Sequence, residues 1–353
     1  MMRSMWVGVV AALVAGCASA PAARVTAPAP AGTSFGMVIH GGAGTISRSS
    51  MTPEAEAGYR AALEQALQAG HTILAGGGTS LDAVEAAVRV LEDSPLFNAG
   101  RGAVFTSEGR NELDAAVMDG RTLQAGAIAG VTRVRNPISL ARLVMEQSPH
   151  VMMIGRGAET FGEEHGVVMV DPSWFFTESR WNSLRRALET EGRPMPPRPA
   201  PAGSGDAIAP DTAGDHKFGT VGAVALDRHG NLAAATSTGG MTNKRFGRVG
   251  DVPVIGAGTY ASARCAVSAT GHGEFFIRNV VAHDICARME YLGLTLERAA
   301  DDVVMVRLVE QQGEGGIIAM DAQGNYTMPF NSTGMYRGYV GPDGRTHIAI
   351  FRD

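Results

Sequence analysis

Thr220 and the residues around it have the makings of a nucleophile that the chain must first uncover. It lies in Lys217-Phe218-Gly219-Thr220-Val221-Gly222-Ala223-Val224, behind a loose Pro/Gly/Ala stretch (Pro194–Gly214) and ahead of two apolar small-residue strands. Cutting the Gly219–Thr220 bond would place a free α-amino group beside the threonine hydroxyl, so that nucleophile and base share one residue. An unperturbed α-amino group titrates near 7.7–8.0, close to working pH, and suits a general base. The β-methyl restricts χ1 and holds Oγ toward one side. Gly219, with no side chain, lets the uncut chain reach the bent geometry for attack on its own preceding carbonyl.

Two further groupings complement such a nucleophile. Arg248 and Asp251 flank Val249-Gly250. A guanidinium grips a carboxylate with two parallel hydrogen bonds and an aspartate receives an ammonium, so together they would hold the α-groups of an amino acid. Thr270-Gly271, in Ser268-Ala269-Thr270-Gly271-His272-Gly273-Glu274, offers a hydroxyl and a backbone N–H for an oxyanion.

The elements that must position these residues alternate in type. Phe35–His40 reads as a buried strand ended by Gly41-Gly42-Ala43-Gly44. Thr52-Pro53 starts a helix running toward Gly70, and Thr79-Ser80-Leu81-Asp82 starts a second, with Val84, Ala87, Val88 and Leu91 at helical spacing. A third follows Asn136-Pro137, and Gly120–Val134 reads as a strand region. Beyond Thr220 come hairpins: Val221–Asp227 with Leu232–Thr236, Gly316–Asp321 with Tyr326–Phe330, and a third turn at Asp343-Gly344 before His347–Phe351. Ile277–Leu292 and Leu296–Gln311 read as helices between the first two hairpins. Helices bracketing sheets apolar on both faces argue for an α/β fold of four layers, an αββα sandwich.

Taken in order, His40-Gly41-Gly42-Ala43-Gly44, Leu96-Phe97-Asn98-Ala99-Gly100-Arg101-Gly102, Glu112-Leu113-Asp114-Ala115, Gly219-Thr220, Thr236-Ser237-Thr238-Gly239-Gly240, Gly247–Asp251 and Ser268–Glu274 resemble the plant-type L-asparaginase/isoaspartyl peptidase family of N-terminal-nucleophile hydrolases. The resemblance runs from about His40 to the C-terminus. It implies hydrolysis of L-asparagine and β-aspartyl dipeptides through an aspartyl ester on Thr220. It gives Arg248 and Asp251 the substrate clamp, Thr270 and Gly271 the oxyanion, and Gly273 a place lining the site. Thr238 would hydrogen-bond near the nucleophile, and Asn98 would orient the reactive terminus. It further implies a structural sodium ion on backbone carbonyls at Leu91, Glu92, Ser94, Phe97, Ala99 and Arg101, and no cofactor for catalysis. One domain, 34–353, would be cut into an α subunit with a loose 193–219 tail and a β subunit 220–353, assembled as an (αβ)2 heterotetramer. Arg245, Phe246, Ala269 and His272 stand around the clamp and are expected to reshape the pocket's outer wall.

Composition excludes other classes. At 353 residues, 45% hydrophobic and net charge −5, the chain has ample core but no excess of cations for a polyanion. Its 46 glycines cluster at turns without a period. Residues 1–16 read as a leader, with Met1-Met2-Arg3 before an apolar run too short to span as a mature helix. Val14-Ala15-Gly16-Cys17 resembles a lipoprotein box in which Cys17 is lipidated; Ala18-Ser19-Ala20 is the alternative, an ordinary signal-peptidase site. Either way export to the periplasm is expected, with 17–33 as a tether and the membrane reached only through a lipid. Cys265 and Cys286 could pair in an oxidising compartment, but the apolar run around Cys286 favours a buried thiol. No metal-ligand spacing occurs among the nine histidines.

Three rival readings fare worse. Glycosylasparaginases resemble Thr-Asn-Gly where this chain has Thr238-Gly239-Gly240. A serine esterase fails because Gly32-Thr33-Ser34-Phe35-Gly36 enters a strand from the tether instead of joining strand to helix. An exported binding protein that has lost catalysis would have little use for an intact Thr220, Thr238 and Thr270.

Overall fold

Alternation with period two decides which way each strand faces. In β1 (Gly36–Gly44), Met37 and Ile39 face one way and Val38 the other; in β5 (Val221–Leu226), Val221, Ala223 and Ala225 oppose Val224 and Leu226. Both faces of these strands are therefore apolar, and the sheet must be covered twice. The computed structural model, which describes residues 35–199 and 219–352, does this in four layers. The leader, Cys17, the tether and most of the Pro-rich segment lie outside the described residues.

The larger sheet also contains β2 (Leu113–Asp119), β3 (Ala125–Val131), β4 (Met152–Ile154), β6 (Leu232–Thr238), β11 (Gly334–Val340) and β12 (Thr346–Phe351). Its order is β12-β11-β1-β5-β6-β2-β3-β4, antiparallel except for β3 with β4. The smaller sheet, β10-β9-β8-β7, comprises β7 (Thr259–Ala261), β8 (Cys265–Gly271), β9 (Gly315–Asp321) and β10 (Tyr326–Thr327). Between the sheets lie Val38, Val224, Leu232 and Ala234 against Ala266, Ile318 and Met320. The outer face of the larger sheet is covered by α1 (Pro53–Ala75), α2 (Ser80–Asp93) and α3 (Pro137–Gln147) through Leu63, Leu67, Val84, Val88, Leu140 and Val144. The smaller sheet is covered by α6 (Gly273–Asn279), α7 (Val281–Leu292) and α8 (Leu296–Asp301). Two more helices, α4 (Gly155–Glu164) and α5 (Glu178–Thr190), complete the set up to the Pro-rich segment.

Threonine caps start the helices as expected, Thr52 accepting from Ala55 N–H and Thr79 from Asp82 N–H. Several boundaries differ. α1 continues through Gly70, where a Cβ would lie 2.3 Å from Met37 Cε, so this glycine serves close packing; the helix stops at Gly76 instead. β1 runs on through Gly41–Gly44 with a bulge between His40 and Gly42. The expected 277–292 helix breaks at Val280, which takes the left-handed conformation (φ 49). Leu296 leads into a π-helical turn, Asp302–Arg307, before the last turn at Leu308–Glu310. β10 ends at Thr327, two residues ahead of Pro329, which has no N–H to give a ladder. Cys265 and Cys286 are not free thiols: they form a disulfide, Cα–Cα 5.6 Å, tying β8 to α7.

Candidate active site

The β5–β6 hairpin pairs Val221 with Ser237, which puts Thr220 level with Thr238 at its open end. Thr220 Oγ1 donates to Thr238 Oγ1 at 3.0 Å, and Thr238 Oγ1 also accepts from Gly240 N–H at 2.9 Å. On the other side of the peptide, the Gly219 carbonyl accepts from Asn98 N–H at 3.1 Å. All the polar groups of Asn98 are engaged here: Nδ2 donates to Gly240 O (2.7 Å), Oδ1 accepts from Val104 N–H (2.9 Å) and its carbonyl from Gly239 N–H (3.1 Å). Gly219 must be glycine because its Cβ would lie 2.8 Å from Asn98 Cβ. Gly42 is more constrained still: φ is +106° and a Cβ would lie 2.4 Å from Gly219 Cα.

The Thr220 carbonyl accepts from His40 Nδ1–H at 3.0 Å. Burial pushes the His40 pKa down to about 3, opposed by that hydrogen bond, so the ring is neutral. Its Nε2 faces Ser268 Oγ at 2.9 Å. Ser268 shares β8 with Thr270, whose Oγ1 accepts from Ala43 N–H at 3.4 Å and keeps its own hydrogen to donate. β1 thus joins the Gly219–Thr220 junction to Thr270 and Gly271, which are the last residues of β8 and not a turn.

Arg248 and Asp251 do not pair with each other. Arg248 makes the two-pronged contact with Glu274, Nε–Oε1 2.9 Å and Nη2–Oε2 3.0 Å, and His272 Nε2 lies 3.3 Å from the same carboxylate. Asp251 is buried and its Oδ2 has no hydrogen-bond partner among the described residues. Burial raises its pKa to about 7 against the lowering effects of its own backbone N–H and of Arg248. Gly273 lies between the two: a Cβ there would be 2.8 Å from Arg248 Nη2 and from Asp251 Oδ1. The arrangement sets a buried carboxylate, for a cation, beside a guanidinium fork that Glu274 now holds and an anion could take.

A family model described as Asparaginase matches residues 33–350. The chain belongs to this family. It is 52% identical over 315 residues to the isoaspartyl peptidase of Escherichia coli (strain K12), covering 88% of this chain and 95% of that protein. It is likewise 52% identical to the isoaspartyl peptidase of Salmonella typhimurium over 322 residues, 88% of this chain and 97% of the relative. A putative isoaspartyl peptidase/L-asparaginase of Dictyostelium discoideum is 50% identical over 325 residues, 86% of this chain and 92% of its own.

Of the asparaginase-type residues singled out in the sequence, Thr220, Gly219, Thr238 and Asn98 meet at one junction, and Arg248, Asp251 and Gly273 at a second point. Of the four residues expected to shape the outer wall, Ala269 does not: it is buried on the helix side of β8 with Val267 and Ile317. Phe246 is 99% exposed, Arg245 pairs with Glu191, and His272 packs on Phe275. Sequence reasoning missed Glu274 as the partner of Arg248, although the two lie in the Gly247–Asp251 and Ser268–Glu274 motifs. It also missed the polar backing of Thr238. Glu92 Oε1 accepts from Ser237 OH (2.6 Å) and Ile138 N–H (3.0 Å), and burial raises this carboxyl to about 8. Asp114, opposite Thr238 in the sheet, is also raised by burial, with the Lys244 charge working against it.

Proposed function

We propose that the chain cuts itself at Gly219–Thr220 and then hydrolyses β-aspartyl amide bonds, in L-asparagine and in β-aspartyl dipeptides, as the names of its relatives describe. In the cut, Thr220 Oγ attacks the Gly219 carbonyl carbon and its proton passes to the departing nitrogen. The Asn98 N–H already on that carbonyl steadies the developing charge. Water then releases Gly219 as a carboxylate and leaves Thr220 with a free amine.

In turnover, that amine takes the Thr220 hydroxyl proton while Oγ attacks the substrate's side-chain carbonyl. Thr270 OH and Gly271 N–H receive the oxyanion. The Thr220 amine passes the proton to the substrate's amide nitrogen, which leaves as ammonia or as the amine of the released amino acid, and water hydrolyses the aspartyl ester on Thr220. Thr238, hydrogen-bonded to the attacking oxygen, keeps it aimed. Arg248 takes the α-carboxylate, displacing Glu274, and Asp251 takes the α-ammonium. The observation that carries the reading is the junction itself, a buried threonine hydroxyl held by Thr238 beside a glycine carbonyl held by Asn98 N–H. N-terminal sequencing of the smaller fragment tests the cut, with threonine expected in the first cycle. Steady-state rates on asparagine and a β-aspartyl dipeptide set test the reaction; an uncut chain inert toward both would overturn it.

A sodium ion on the 91–101 loop belongs to the same reading. The end of α2 presents its last carbonyls beyond the helix, and Gly100 and Gly102 approach Glu92 O and Phe97 O so closely that a Cβ would lie 2.3 and 2.1 Å away. Carbonyl oxygens suit a hard cation, and those of Leu91, Glu92, Ser94, Phe97, Ala99 and Arg101 would hold it. An (αβ)2 assembly, export by the 1–16 leader and lipidation at Cys17 complete the proposal. The Cys265–Cys286 disulfide supports export, because such bonds persist in oxidising compartments. Among the described residues no helix is long and apolar enough to cross a membrane.

A further inference from the structure

Between the two sheets, four fully buried side chains are polar where the packing around them is apolar: His40, Ser268, Thr236 and Thr259. They form one continuous run. His40 Nδ1 lies 3.0 Å from Thr220 O, His40 Nε2 2.9 Å from Ser268 Oγ, Ser268 Oγ 2.7 Å from Thr236 Oγ1, and Thr236 Oγ1 2.7 Å from Thr259 Oγ1. The run has a direction. A carbonyl only accepts, so Nδ1 carries the single hydrogen of the neutral ring, and Nε2 must accept from Ser268 OH. Ser268 then accepts from Thr236, and Thr259 OH serves Thr236 or Val252 O. The end of this oriented chain is the Thr220 carbonyl.

The sheet is cut away to admit it. Gly222 pairs with His40 on one side and Thr236 on the other. A Cβ on Gly222 would lie 2.5 Å from His40 Nε2 and 2.0 Å from Ser268 Oγ. A central strand thus forgoes a side chain two residues after Thr220, and in its place lies an imidazole whose outward hydrogen bond goes to the main chain of Thr220.

We propose that His40 is a positioning residue for Thr220: by holding the Thr220 carbonyl it sets the peptide plane, and with it the directions of the α-nitrogen and Oγ. The inference rests on Thr220 being the nucleophile. Its importance grows after the cut, when Thr220 becomes a chain end. Chain ends fray unless tied down, and the ties left to Thr220 are this carbonyl, the hydroxyl on Thr238, and the ladder that starts at Val221. A displacement on the order of 1 Å is enough to cost about 10²-fold in rate.

Two substitutions separate positioning from sheet-to-sheet cohesion. His40→Asn places an amide N–H where Nδ1 sits, keeping the donor to Thr220 and losing Ser268. His40→Gln reaches to where Nε2 sits, keeping Ser268 and losing the donor. Melting temperature, rate of the Gly219–Thr220 cut, and kcat and KM on a β-aspartyl dipeptide are measured for both. The expected result is a kcat lower by about tenfold or more for His40→Gln with KM changed by less than about twofold, and a kcat within about threefold of the parent for His40→Asn, whichever melts lower. Equal kcat losses in the two variants, or losses that follow melting temperature, overturn the proposal. Should neither variant fold, Ser268→Ala decides. It keeps the His40–Thr220 bond, which by itself holds the hydrogen on Nδ1, so kcat should stay within about threefold of the parent even where melting falls; a kcat lower by about tenfold or more overturns the proposal. A parent chain inert on all substrates sinks the functional reading instead, and His40 is then judged on the cut, which His40→Gln must slow more than His40→Asn.

Discussion

Arg248→Lys tests the recognition chemistry most directly. In the structure the guanidinium already shows the geometry it would use on substrate, a two-pronged grip on Glu274 at 2.9 and 3.0 Å. A lysine ammonium is a point charge that reproduces one of these contacts and not the fork. Losing a charge-assisted hydrogen bond costs about 1.5–3 kcal/mol when buried. Arg248 is 18% exposed and Glu274 48%, so solvent screening brings the expected loss to about 1–2 kcal/mol. That converts to a rise in KM of about 5–30-fold. Because the contact holds the α-carboxylate, remote from the bond that breaks, ground state and transition state lose it alike and kcat stays within about threefold. The assay is steady-state hydrolysis of one β-aspartyl dipeptide and of its analogue with the aspartyl α-carboxylate amidated. The amidated analogue should bind the parent poorly and be indifferent to the substitution. A KM unchanged for the carboxylate substrate, or a fall confined to kcat, refutes the clamp.

Other perturbations have equally definite outcomes. Gly42→Ala puts a methyl 2.4 Å from Gly219 Cα at a φ of +106°, so the Gly219–Thr220 cut should slow or stop, visible as one persistent band on a denaturing gel. Glu92, raised from an ordinary 4.5 to about 8 by burial, binds its proton more tightly folded than unfolded. Its contribution is therefore full below about pH 4.5 and lost as pH rises through about 8; Glu92→Gln should flatten the fall in melting temperature between these values. Asp251, held near 7, must be ionised to accept an ammonium. KM should rise as pH falls below about 7, and Asp251→Asn should raise KM above that pH and remove the dependence, the two enzymes converging in acid. Reduction of Cys265–Cys286, a crosslink spanning 21 residues, should cost about 3 kcal/mol by loop entropy and lower the melting temperature.

Much of this was legible in the residues. Helices bracketing sheets apolar on both faces pointed to the sandwich, threonine caps marked the starts of α1 and α2, and Asn136-Pro137 marked that of α3, because those signals are local. Gly-Thr at a loop-to-strand entry pointed to the junction. What escaped was long-range. Gly70 looks like a helix stop until Met37 is seen against it, and the glycines after His40 look like a strand end although β1 runs through them. The Cys265–Cys286 pair depends on β8 meeting α7, a contact no local pattern encodes. His40 and Ser268 are 228 residues apart, and each alone reads as an ordinary buried polar residue. Glu274 was hidden differently, since an acid at the start of a helix already has a local explanation in the dipole.

The strand order β12-β11-β1-β5-β6-β2-β3-β4 has a consequence for what happens once the bond before Thr220 opens. Strands from the two fragments are shuffled: β1 lies between β11 and β5, and β6 borders β2. Neither piece owns the larger sheet, so they cannot drift apart without tearing ladders along both edges of β1. Folding must therefore precede scission, and melting of the scissioned protein is a dissociation, steeper to reverse at low concentration and expected to depend on dilution as no single chain's would.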